Sequence, residues 1–140
     1  MRSAFAIAAF TVLAAAPAVQ AETWKPYSAV SDKGLQWSYD ADYSYRDAQT
    51  GKVVVLQAIG KPGATPRMGP SGPGAPDGVG FVYALDCKEK TLLNLGGYSP
   101  KKPLELSTTW RGEKTAPAKS AEDKALLAAA CAGADQLASK

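Results

Sequence analysis

LQWSYDADYSY, residues 35–45, is the stretch from which the fold of this 140-residue chain is read. Leu35, Trp37, Tyr39, Ala41, Tyr43 and Tyr45 fall on one side of an extended chain; Gln36, Ser38, Asp40, Asp42 and Ser44 fall on the other. Period-2 alternation over this length, with the aromatics together, predicts a long antiparallel strand whose aromatic face meets a core. Arg46–Gly51 follows with a turn signal ending in Thr50-Gly51. KVVVLQAI, residues 52–59, is then a second, β-branched strand, so the two predict a hairpin.

Working outward, Gly60–Gly80 holds seven glycines and five prolines, which excludes a helix or a central strand. Glycine does not recur at every third position, so collagen is excluded as well, and an exposed surface loop is expected. FVYALDC, residues 81–87, reads as a third strand, Lys88-Glu89-Lys90 as a solvated turn, and Thr91–Leu95 as a fourth strand. Gly96-Gly97 allows a bend or bulge before Tyr98, and Leu104–Trp110 predicts a fifth strand continuing through the tryptophan. Upstream, Glu22–Gly34 with Trp24, Pro26 and Tyr27 reads as an irregular lead-in or a short edge strand.

The last element is a helix over Ala121–Ala132, dense in strong helix formers. Ser120 is a good N-cap, Glu122 and Asp123 sit where the helix dipole favours acidic groups, and Ser120 with Asp123 makes a shortened capping box. Gly133 supplies the stop. Leu127 and Cys131 lie four apart and share a face, with Lys124 and Ala134 on the same stripe.

Residues 1–21 carry a different message. Arg2 supplies a positive charge, Ala4–Ala16 is apolar except for Thr11, and Val19-Gln20-Ala21 ends in a small-x-small pattern. This predicts a secretory signal cleaved after Ala21, too short to remain as a membrane span, and a periplasmic or secreted domain over residues 22–140. No cysteine lies near that cleavage point, so a lipid-attached N-terminus is not expected. In an oxidising compartment Cys87 and Cys131 are most simply one disulfide, pinning the helix to the end of the third strand. The fold expected is α+β: a small antiparallel sheet packed against a C-terminal helix and stapled by one bridge.

The chain carries a net charge of +3 with its lysines and arginines scattered, Lys101-Lys102 being the only adjacent pair. That argues against nucleic acid or an anionic membrane as partner. There is no histidine, so imidazole bases, Ser-His or Cys-His nucleophiles and histidine metal sites are excluded. With both cysteines paired, thiol catalysis goes too, and neither a metal nor another cofactor is expected. An enzyme here would rely on Asp, Glu, Lys or Tyr. Asp40 and Asp42 could act as an acid–base pair or bind calcium, but an i, i+2 pair on a polar strand face is ordinarily just its wet side. The row Trp37, Tyr39, Tyr43, Tyr45 could stack a ligand, although at strand spacing it reads first as core. Trp24 and Trp110 are harder to place, and one of them exposed would serve as a contact anchor.

An early Trp, an aromatic strand (Trp37-Ser38-Tyr39-Asp40), a valine strand (Val53-Val54-Val55), Leu85-Asp86-Cys87-Lys88, then Trp110 and a Ser120–Cys131 helix follow in that order. In this order the chain resembles the surface-adhesin protein E family of Gram-negative bacteria, over roughly residues 24–134. The resemblance implies a small antiparallel sheet backed by the C-terminal helix, with the two cysteines in a structural role. Two departures are plain: no lipidation cysteine and a long Gly/Pro insertion between the second and third strands. The expected function is an exported, non-enzymatic interaction module that binds a protein of the envelope or host, with homodimerisation left open. A small hydrolase or lyase working through Asp40 and Asp42, or a small-ligand carrier with the aromatic row lining a cavity, are the alternatives.

Overall fold

A computed structural model describes residues 23–63, 79–99 and 101–140. The expected signal and its cleavage point, and most of the Gly/Pro stretch, lie outside the described residues. Among the described residues the chain forms β1 (Trp24–Pro26), β2 (Gln36–Arg46), β3 (Val53–Gly60), β4 (Val79–Asp86), β5 (Thr91–Ser99), β6 (Lys102–Leu106), β7 (Ala116–Pro117) and one helix, α1 (Ala121–Ala132). The strands pair in the order β1-β2-β3-β4-β5-β6, every pairing antiparallel, and β7 joins β5 on the edge it shares with β6. The fold is α+β, a single antiparallel sheet with a C-terminal helix and one disulfide.

α1 begins and ends where its caps dictate. The Ser120 hydroxyl accepts from the Asp123 amide at 3.0 Å, and the Asp123 carboxylate accepts from the Ser120 amide at 3.4 Å, so two amides left over at the helix start are satisfied. Leu126, Leu127 and Ala130 are its buried residues, and they pack with Val53, Val55 and Leu85 on one face of the sheet. Tyr39, Tyr83, Leu92 and the two cysteines are among the half-buried residues packed against this helix-side cluster. Because successive side chains of a strand point to opposite faces, Val54, Leu56, Val82 and Ala84 point the other way. With Leu95, Tyr98 and Trp110 they form a second core cluster on the inner face. Trp24 from β1 and Leu104 from β6, the two ends of the strand order, pack against that same inner cluster, so the sheet curls around it. β3 lies between the two clusters, which is why Val53 through Ala58 is buried without a break.

The aromatic row of β2 does not stay on one face. Asp40 pairs with Leu56, but the next ladder pair is Tyr45 with Val54, so five steps along β2 match two along β3. The three extra residues form an irregularity, and because their number is odd the strand resumes with its faces exchanged. Tyr39 therefore packs on the helix side, while Tyr43 and Tyr45 pack against the inner cluster. The polar residues are not on a wet face: Ser38 and Asp40 turn toward the inner cluster, and Ser44, within the irregularity, is buried as well, at 0%, 4% and 8% exposure. The expected division into a wet Asp face and a single aromatic core face is corrected accordingly.

Two further corrections concern the ends of elements. The fifth strand stops at Leu106 and Trp110 opens a short 3-10 turn, Trp110–Gly112, instead of continuing the strand. The last residues also form pairings the sequence reading missed: the Arg46 amide donates to Ala138 O, and the Lys140 amide donates to Arg46 O, both at 2.9 Å. The tail thus occupies the outer edge of β2 past the reach of β1. β6, at the other edge, carries Lys102, Pro103 and Glu105, charges and a missing donor that discourage edge-to-edge pairing.

Two adjacent cross-strand pairs use glycine to make room for a ring. Tyr98 lies opposite Gly80, and a Cβ added at Gly80 would fall 2.2 Å from the Tyr98 ring. Since that ring is itself buried, it has little room to retreat. Gly80→Ala is expected to destabilise the fold by about 1–3 kcal/mol, the usual cost of overpacking. Urea unfolding checks it, and a change below about 0.5 kcal/mol would show that the ring moves freely.

Candidate functional site

Cys87, one residue beyond β4, and Cys131, in the last turn of α1, are joined, with Cα atoms 5.6 Å apart. The bridge is a structural staple: it fastens a helix of only twelve residues to the central sheet.

Trp110 is buried at 6% exposure among Val54, Leu56 and Val82, so its indole is core and not a contact anchor. Trp24 is half-buried against the same cluster. Neither is the exposed tryptophan that a contact anchor requires. Asp40 and Asp42 are both engaged in holding β1. Asp40 Oδ1 accepts from the Thr23 amide at 3.2 Å and from the Asp42 amide at 3.0 Å, and Asp42 Oδ2 accepts from the Thr23 hydroxyl at 2.6 Å. They tie the chain entering β1 to the irregular part of β2. Among the described residues no group of three or more Cys, Asp or Glu side chains is placed to hold a metal ion.

A second polar centre was not legible in the sequence. The Asp47 side chain is fully buried in the β2–β3 turn. Its Oδ1 accepts from Arg111 Nε at 2.9 Å and Nη2 at 2.6 Å, and its Oδ2 accepts from the Thr50 amide at 2.9 Å and hydroxyl at 2.7 Å. The Arg111 hydrogen bonds, helped by Thr50, outweigh burial and hold the carboxyl down at about 2. The guanidinium also lies 4.9 Å from the Trp110 ring centre. Asp47-x-x-Thr50 is a recognisable turn pattern, but nothing in the sequence pairs it with an arginine 64 residues away. Nearby on the helix side, the Tyr27 hydroxyl donates to Gln57 Oε1, and burial pushes the phenol upward.

Among the described residues, an apolar row also lies on the helix side of the sheet beyond both core clusters. Trp37, Ile59 and Val79 form one cross-strand row, and Phe81 follows in the next row on the same face. Trp37, Ile59 and Phe81 are half-buried, Val79 is 39% exposed, and none of the four belongs to either core cluster. The Phe81 ring lies over Gly97, where a Cβ would fall 2.8 Å from it. The row containing Phe81 runs from Lys25 through Tyr39 and Gln57 to Gly97 and Glu105, so a charge flanks the patch at each side of the sheet.

Fold and surface together define a disulfide-stapled α+β domain in which, among the described residues, half-buried Trp37, Ile59 and Phe81 and exposed Val79 lie together on the helix side of the sheet and outside both core clusters. No protein-family model, no curated protein and no solved structure matches the chain. Among the described residues no helix is long and apolar enough to cross a membrane.

Proposed function

We propose that this chain is a non-enzymatic binding module whose patch of Trp37, Ile59, Val79 and Phe81 docks a protein partner. The observation that carries the reading is that patch: two aromatic and two aliphatic residues, outside both cores, with Lys25 and Glu105 at its margins. Aromatic anchors within a polar rim are the composition of protein contact surfaces. The engagement of Asp40 and Asp42 with Thr23 supports a binding role over acid–base chemistry. A disulfide suits a periplasmic or secreted setting, and the resemblance to the surface-adhesin protein E family enters here as part of the proposal, with an envelope or host protein as the partner.

The test is capture from envelope and host extracts with the wild-type chain and with a Trp37→Ser/Phe81→Ser double variant. The wild type is expected to retain a partner that the variant loses. Affinity measured on the purified partner should fall at least tenfold, as truncating two aromatic anchors implies. Equal retention of the same proteins by both chains, with both equally folded by circular dichroism, would overturn the assignment to this patch.

A further inference from the structure

A separate groove lies on the flank of α1, away from the Trp37 patch. Its volume is about 460 Å³, within the roughly 300–1,000 Å³ of small-molecule sites. It is lined by the Cys87–Cys131 bridge, by Pro117 and Ala118 from the segment around β7, and by Leu127 and Ala128 from the helix. The lining adds only two charged side chains, Lys90 from the β4–β5 turn and Lys124 from the helix. Neither lysine forms an ion pair among the described residues. Lys90 is also held with φ at 56°, a left-handed conformation that glycine or asparagine adopts at less cost.

We propose that this groove binds an alkyl carboxylate, its chain along the bridge and its head at Lys90 and Lys124. The charge match selects an anion over a cation or a neutral molecule. The walls select the tail. Alanine, leucine, proline and bridged cysteine side chains offer no hydrogen bonds, so a peptide or sugar would leave buried polar groups unpaired, whereas an alkyl chain leaves none. The site is independent of the patch proposed above, and either can fail without the other.

Calorimetric titration of the disulfide-intact protein with octanoate, decanoate and dodecanoate, each kept below micelle formation, tests this. One molecule should bind per chain, with affinity rising by up to about fourfold per added methylene, the gain for a fully buried CH₂. Dodecyltrimethylammonium should bind more weakly than dodecanoate. Ala128→Trp, at an exposed helix position, fills the groove and should abolish binding while the thermal melt stays unchanged. Lys90→Ala/Lys124→Ala should weaken dodecanoate about three- to tenfold and strengthen the cationic analogue by relieving its repulsion, both modestly because exposed charge interactions are small. Affinity independent of chain length, equal binding of the cation, or an unchanged dodecanoate affinity in the lysine variant would each overturn the proposal. Should Ala128→Trp disturb the fold, the lysine variant and the chain-length series decide.

Discussion

Cys131→Ser is expected to lower the unfolding free energy by about 4 kcal/mol. The bridge closes a loop with a sequence separation of 44, and the loss of that constraint on the unfolded chain sets the figure. Total stabilities of domains are about 5–15 kcal/mol, so this is a large part of the whole. The loss should not be uniform. A helix of twelve residues is marginal alone, and α1 meets the sheet chiefly through Leu126, Leu127 and Ala130. The central strands β3 and β4 pack on both faces. Hydrogen exchange in the variant should therefore show α1 amides deprotected well before those of Val53–Gly60 and Val79–Asp86. Uniform loss across helix and sheet would refute the view that the bridge mainly secures the helix. A urea midpoint equal to that of the oxidised wild type would refute the larger claim that it stabilises the fold.

Asp47 should account for the second large effect, and for the acid sensitivity of the protein. Its carboxyl sits at about 2 against an ordinary 3.8, so the folded state holds this proton less tightly than the unfolded chain. Stability from the group is fully present above about pH 4 and is lost as pH falls through 2. The shift corresponds to about 2 kcal/mol at 1.36 kcal/mol per pH unit. Asp47→Ala is expected to cost about 2–3 kcal/mol near neutrality. That lies toward the low end for breaking a buried pair, because Arg111 at 39% side-chain exposure can regain water. The variant should also lose the acid-dependent part of the stability curve between pH 4 and 2. Arg111→Met should move the acid transition to higher pH, since Asp47 would remain buried with only Thr50 as donor. Parallel stability–pH curves for wild type and Asp47→Ala would show that the carboxylate is not the group responsible.

Local patterns were legible in the sequence wherever neighbours along the chain decide the outcome. Ser120, Asp123 and Ala121–Ala132 define a capped helix through i, i+3 contacts, and the structure keeps those bounds. The valine run and FVYALDC are strands because β-branched and aromatic residues between turn signals have few other options. The candidate contact surface was much less legible. Trp37 was visible as part of an aromatic row, but its separation from Tyr39, Tyr43 and Tyr45 in packing depends on where the irregularity in β2 falls and where α1 ends.

The sequence by itself therefore determined the long strands, the helix with its caps and the economy of one cysteine pair, because these follow from local backbone preferences and from composition. Only the tertiary structure decided which face each residue occupies. Three extra residues between Asp40 and Tyr45 exchange the two faces of β2 and separate Tyr39 from Tyr45, while Asp40, before them, is buried because it pairs with Leu56 on the inner face. Curling of the sheet draws Trp110 into the core, and a turn carboxylate at Asp47 finds Arg111 across 64 residues. Period-2 alternation says that two faces differ; which of them is buried depends on strand pairing and on what packs above, and those contacts join residues far apart in the chain.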